Sequence, residues 1–249
     1  MNKTFIISEC GINANGNTID AMRQIDLSKL AGASAVKFQI YDTDRLFAKD
    51  FKYYEDSKRG MFSHYQHIEL ADYAKIRAIE WFASPFHLDS VDLMESLGVR
   101  RYKIASRSVF DLSLLERVAK TNKPVIMSCG MGREEDITKA VDIFLSKEIP
   151  LTLLYCKCLY PAKKEDINLN EMIELGKRYR VPYGLSSHCP DIDIGLEAIN
   201  MGASVLEYHT TLDRTQPGCD QSSSIEYPDL MKLVDRAKLC VVGSSLTYF

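Results

Sequence analysis

Short apolar runs recur along the chain, and each is followed by a stretch in which apolar residues return every three or four positions. The runs are Phe5–Ile7, Ala35–Phe38, Trp81–Ala83, Tyr102–Ile104, Val125–Met127, Leu151–Tyr155, Tyr183–Leu185 and Val205–Tyr208. Rich in Val, Ile, Leu, Phe and Tyr and bounded by turn or polar residues, they predict buried parallel strands. The segments between them predict helices. Ile137, Ala140, Val141, Phe144 and Leu145 share one face, and Leu230, Leu233, Val234, Ala237 and Val241 share another. Glu134, Glu135 and Asp136 open the first of these helices, where the dipole favours negative charge, and Gly32, Gly98 and Gly202 stand where helices should end. Eight strand–helix units with right-handed crossovers predict a (β/α)8 barrel, one domain over residues 1–249.

One crossover is longer than the rest. Residues 42–59 form a polar stretch carrying Phe47, Phe51, Tyr53 and Tyr54, and a helix is expected from about Met61 to Ile79. Long loops after a strand commonly wall or cover an active site.

Polar residues fall at or just after the strand ends: Glu9, Lys37, Gln39, Ser84, Lys103, Ser106, Ser128, Ser186, His188 and His209. In a (β/α)8 barrel that face carries the chemistry. A doubly wound open sheet would instead gather its functional residues at one switch point. His188 and His209 follow neighbouring strands, so their imidazoles should meet as two ligands of one divalent metal with open positions, Mn²⁺, Fe²⁺ or Zn²⁺. The bland alternative is that each only braces a loop. His64, His67 and His87 lie on or beside helices and are expected at the surface. A lysine inside an apolar strand needs an anion or a carboxylate, because an unpaired buried ammonium sheds its proton. Lys37 and Lys103 therefore mark either an anionic substrate or structural partners of an acid such as Glu9. Each serine taken singly could be a helix cap; two lysines and several hydroxyls around one mouth suit a carboxylate-plus-phosphate ligand.

Composition narrows the classes. Net charge is −3, from 31 basic and 34 acidic residues with no basic block, which favours neither nucleic acid nor an anionic membrane. No apolar run approaches the roughly 18 residues of a membrane helix, and the N-terminus lacks the apolar core of a signal peptide. Seven cysteines, an odd number in a chain too large to need staples, suggest free thiols and a cytoplasmic setting. Cys10, Cys129, Cys158, Cys189 and Cys219 fall near the expected catalytic face. Cys156-Lys157-Cys158 is CxC, a weak zinc motif, so small-hydrophobe packing is expected for the cysteines. Cys10 could approach the metal, since its strand neighbours the eighth.

The runs ISECGINANGN, AGASAVKFQIY, FASPFHLDSVDLMESLGVRRYKIAS, NKPVIMSCGM, LLYCKCLYPA, VPYGLSSHCPDIDIGLEAINMGASVLEYHTTLDR and PGCDQSSS, in that order, resemble the sialic acid synthase (N-acetylneuraminate synthase) family. The resemblance covers the barrel domain and does not extend to the family's C-terminal antifreeze-like domain. It implies a transferase of carbohydrate biosynthesis that condenses phosphoenolpyruvate with an aldehyde sugar to a 2-keto-3-deoxy acid and phosphate. It also implies a divalent metal, usually Mn²⁺, on His188 and His209, and a homodimer. By the same carry-over Lys37, Ser84, Lys103, Ser106, Ser128 and Ser186 hold phosphoenolpyruvate, while Glu9, Gln39, Tyr160 and Asp220 face the reacting centre or the acceptor.

Four departures stand out: Arg107-Ser108 replaces Gly-Glu, Lys157-Cys158 replaces Thr and a small polar residue, Ala14 replaces a His, and Gln221 replaces another. The donor half of the site is thus retained and the acceptor half altered, with Arg107 and Lys157 suggesting an anionic acceptor. An outward turn of both, paired with Glu165 or Asp166, is the competing expectation. Two other functions compete: a metal-dependent aldolase or lyase acting on a keto acid, and a non-catalytic binding barrel.

Overall fold

The computed structural model describes residues 4–240. The termini of the expected 1–249 domain, and with them Val241, lie outside the described residues. The elements are β1 (Phe5–Gly11), α1 (Thr18–Ala31), β2 (Ala35–Ile40), α2 (Thr43–Leu46), α3 (Tyr54–Gly60), α4 (His64–Ile76), β3 (Glu80–Pro85), α5 (Leu88–Ser96), β4 (Tyr102–Ile104) and α6 (Leu112–Ala119). They continue with β5 (Val125–Ser128), α7 (Glu134–Leu145), β6 (Leu151–Cys156), α8 (Leu169–Tyr179), β7 (Tyr183–Ser187), α9 (Ile192–Asn200), β8 (Val205–Thr211), β9 (Ile225–Glu226) and α10 (Tyr227–Ala237).

The first eight strands are parallel neighbours in the order β3-β2-β1-β8-β7-β6-β5-β4. The two end strands, β3 and β4, pack against each other and close the ring. All eight expected strands are present, and most run further at the carboxyl end than their apolar runs. Ser8 to Gly11, Gln39 and Ile40, and His209 to Thr211 remain in strand because the barrel pairs their backbones whatever the side chain. The tiny β9 adds to the end of β8.

Apolar side chains on the outer faces of the strands meet the helices in two large clusters. One runs from Ile25 of α1 through Leu70, Met94 and Leu115 to Phe144; the other gathers Met172, Ile199, Leu230 and Leu233. Gly32, Gly98 and Gly202 all hold left-handed φ, at 81°, 68° and 96°. The helix expected from Met61 to Ile79 is shorter, because Ser63 caps it. Its hydroxyl accepts the Gln66 N–H, and Gln66 Oε1 accepts the Ser63 N–H at 2.9 Å. The preceding polar stretch is not a bare loop; it folds into α2 and α3, with Phe47 and Phe51 stacked at 4.6 Å.

Two expectations about side chains are corrected here. His67 is not at the surface. It is fully buried in α4 between Phe62 and Trp81, because the helical period places it on the apolar stripe with Leu70 and Ala74. His87 is half-buried and accepts the Asp42 N–H at 3.3 Å, while His64 is exposed. Cys10 turns away from the barrel axis. Strand alternation sends Glu9 inward and its neighbours outward, so Cys10 Sγ lies 3.8 Å from the Tyr227 hydroxyl of α10, and burial raises its thiol to about 11. All seven cysteines are free.

Candidate active site

Alternation along β1, β2, β4 and β8 puts four charged side chains into the barrel at one level: Glu9, Lys37, Lys103 and Glu207, each almost wholly buried. Lys37 Nζ stands 2.7 Å from Glu9 and 3.7 Å from Glu207, and Lys103 Nζ stands 3.4 Å from Glu207. Lysine and carboxylate thus alternate in a row of two cations and two anions. Hydroxyls complete it. Lys37 donates to Ser84 at 3.1 Å, Lys103 donates to Ser128 at 2.7 Å, and Ser186 donates to Glu207 at 3.0 Å. Gln39 donates to the other oxygen of Glu9 at 2.8 Å. Gly11 leaves room for this pair: its φ is 52°, and a Cβ there would lie 3.2 Å from Glu9 Oε1 and 3.3 Å from Gln39 Nε2.

Burial and partners set the charges. Burial pulls the Lys103 ammonium below the usual lysine range. Burial opposes the charge on Lys37 too, but Glu207 and Glu9 outweigh it and hold that group higher. Burial would likewise raise Glu207, yet Lys103, Lys37 and His209 keep its carboxyl well below the usual range. Glu207 was not among the sequence candidates. The signal was available, since it stands two residues before His209 and shares its strand face.

The two histidines converge, with ring centroids 5.3 Å apart, and Tyr160 stacks on His188 at 4.0 Å. His188 Nδ1 donates to the Lys157 carbonyl at 2.9 Å, which fixes the proton on that nitrogen and leaves Nε2 as a free lone pair. Burial, and then the neighbouring His209, push His188 down to about 3, so it is neutral, the form that binds metals. His209 Nδ1 is buried without a hydrogen-bond partner, and Asp220 Oδ2 stands off at 3.7 Å. A free imidazole nitrogen beside an orphaned one suits a divalent cation. Among the described residues no cluster of three or more His, Cys, Asp or Glu could hold one, so the remaining positions would fall to substrate and water.

The remaining candidates divide. Ser106 lies in a short 3₁₀ turn after β4 and accepts the Met131 N–H at 2.7 Å. Arg107 stacks on Phe47 at 4.6 Å and reaches the Leu46 carbonyl. Lys157 is exposed and meets His188 through its backbone, not its ammonium. Neither cation pairs with Glu165 or Asp166, which turn to Lys163. Gln221 is buried, accepting from Thr211 and donating to the Asn13 carbonyl, a structural use of the position. A cavity of about 200 Å³ between α7 and α8, lined by Glu134, Leu175 and Arg178, lies on the outer wall away from this face.

A parallel (β/α)8 barrel with a buried row of charges and paired histidines at its carboxyl end defines an enzyme with its chemistry in the barrel mouth. Residues 24–242 match the NeuB family, and the chain belongs to it. It is 34% identical to the N,N'-diacetyllegionaminic acid synthase of Campylobacter jejuni, across 94% of this chain and 75% of that one. To the human N-acetylneuraminate-9-phosphate synthase it is 33% identical, across 94% and 69%. The crystal structure of the N-acetylneuraminic acid (sialic acid) synthetase of Leptospira borgpetersenii, in complex with citrate, superposes with a TM-score of 0.92 at 33% identity, covering 99% of this chain and 88% of that one. Among the described residues no helix is long and apolar enough to cross a membrane.

Proposed function

We propose that the protein condenses phosphoenolpyruvate with an aldehyde sugar, forming a 2-keto-3-deoxy sugar acid and releasing phosphate. The observation that carries this reading is the pair of buried lysines, with their serine hydroxyls, facing a two-histidine site across one barrel mouth. Lys37 and Lys103 bind the carboxylate and phosphate of the donor, with Ser84, Ser106 and Ser128 supplying directed donors and Ser186 lining the same site with its proton on Glu207. Glu9, held by Gln39, faces the reacting centre, and Tyr160 and Asp220 border the acceptor beside the histidines. Held at bonding distance, C3 of phosphoenolpyruvate attacks the aldehyde carbon, water adds at C2, and phosphate leaves. His188 and His209 would hold a divalent cation, Mn²⁺ by family likeness, which when bound polarises a carbonyl oxygen.

The acceptor carries a negative charge in this reading. Arg107 and Lys157 make no ion pair among the described residues, and Ser108 stands where the resembling proteins place a glutamate. The human relative's product is named as a phosphate ester.

The test is phosphate release from phosphoenolpyruvate with neutral aldoses, their phosphate esters and uronic acids, in protein loaded with Mn²⁺. Keto acid should form in step with phosphate, fastest with an anionic acceptor. His188→Ala and His209→Ala should each lose most bound metal. Pyruvate formed from a keto acid, with no phosphate released, would replace the synthase reading by a lyase. Absence of turnover together with absence of phosphoenolpyruvate binding would leave a non-catalytic barrel.

A further inference from the structure

At the end of β6 the chain carries two thiols with one residue between them. Cys156 closes the strand, Cys158 follows it, and their sulfurs lie 3.9 Å apart. Gly130, on the neighbouring strand end, makes the slot: a Cβ there would meet the Cys156 carbonyl at 2.2 Å and Cys158 Sγ at 2.8 Å. Cys156 is buried, whereas Cys158 is partly open at the barrel mouth, with the Ser106 hydroxyl 3.7 Å away. The synthase reading leaves both thiols unused.

We propose that Cys156 and Cys158 form a thiol–disulfide exchange site that takes electrons to a low-molecular-weight disulfide. Cys158, as thiolate, attacks one sulfur of that disulfide; the disulfide bond breaks and one small thiolate leaves. Cys156 loses its proton to solvent and attacks the Cys158 sulfur, closing the protein disulfide and releasing the second small thiol. Two protein thiols are oxidised and one exogenous disulfide is reduced to two thiols. A disulfide is about 2.05 Å long, so the sulfurs must close by roughly 2 Å. Access points the same way. Cys158 is open enough at the mouth for a small disulfide to reach it, whereas Cys10, Cys129 and Cys189 are buried.

Closure draws Cys158 off Ser106 and moves the strand end whose Lys157 carbonyl orients His188. Oxidation should therefore weaken donor binding, a consequence that rests on the proposed function, whereas the bond itself does not.

The experiment incubates the full-length protein with oxidised glutathione, alkylates the remaining thiols in denaturant and maps the peptides by mass. The expected result is an intramolecular disulfide within the 156–158 peptide, reversed by dithiothreitol and formed about tenfold faster than modification at any other cysteine. Cys156→Ser should stop at a glutathione adduct on Cys158, and Cys158→Ser should yield no adduct at Cys156. A wild-type protein that carries only the Cys158 adduct, or reacts first elsewhere, overturns the proposal. Calorimetry with phosphoenolpyruvate then compares the oxidised and reduced forms, with about a fivefold or greater weakening expected on oxidation. Unchanged affinity in a protein shown to carry the disulfide overturns the link to the donor site and leaves the exchange site standing.

Discussion

Glu207 is the side chain on which the barrel mouth depends most, because it faces both lysines and accepts from Ser186. Removing it leaves two buried ammoniums with Glu9 as their one remaining carboxylate. Glu207→Leu should cost about 3–5 kcal/mol, the range for breaking one side of a buried ion pair, read as a lower midpoint in urea with unchanged slope. A loss near zero would mean that water reaches the lysines. His67 makes a second case. Burial pushes it down to about 3, against 6.5 for the free imidazole, so the folded chain binds a proton there less readily than the unfolded one. Its contribution is therefore complete above pH 6.5 and is lost progressively as pH falls from there towards 3. His67→Phe should flatten the stability profile across that window, and an identical profile would assign the acid sensitivity to other groups. The two residues also differ in legibility. His67 was readable from the i, i+3 spacing that puts it with Leu70, whereas its place on a helix alone suggests the surface. Glu207 was masked by its apolar neighbours, although counting back two from His209 places it inside.

At the level of elements, the carboxyl end of β1 shows how a strand terminus can be shaped by one missing side chain. Gly11 takes a left-handed φ and lies against the carboxylate and amide of Glu9 and Gln39. Gly11→Ala should destabilise by about 1–2 kcal/mol from the backbone alone. It should also disturb the Glu9–Gln39 bond, so donor affinity and stability fall together, whereas Gly98→Ala, with open space around it, should carry the backbone cost only. Equal effects of the two substitutions on donor affinity would separate Gly11 from the site. The eight strands were legible because buried parallel strands read as unbroken apolar runs, and the functional ends were legible because polar residues interrupt those runs. Strand limits were not, since backbone pairing continues under polar side chains. Nor was the outward aim of Cys10, which follows from alternation rather than from proximity along the chain. The helices α2 and α3 escaped notice because short turns held by Asp42 capping and aromatic stacking leave no periodic stripe.

For the whole molecule, the row of Glu9, Lys37, Lys103 and Glu207 sums to no net charge, and it sits where an ordinary barrel would be filled with branched aliphatic residues. Two opposed consequences follow. Any single truncation strands a charge and weakens the fold. Exchanging all four at once, as Glu9→Leu, Lys37→Met, Lys103→Met and Glu207→Leu, strands none and should give a barrel more stable than every single variant and at least as stable as the parent, while phosphoenolpyruvate binding disappears. Denaturation midpoints of the six proteins, parent, four single variants and the quadruple, decide this, and a quadruple variant weaker than the singles would refute it. The row is then a compromise written into the scaffold: the barrel is held short of its best attainable stability at the place where it must accept a charged guest, so mutations that harden the mouth should be the ones that silence it.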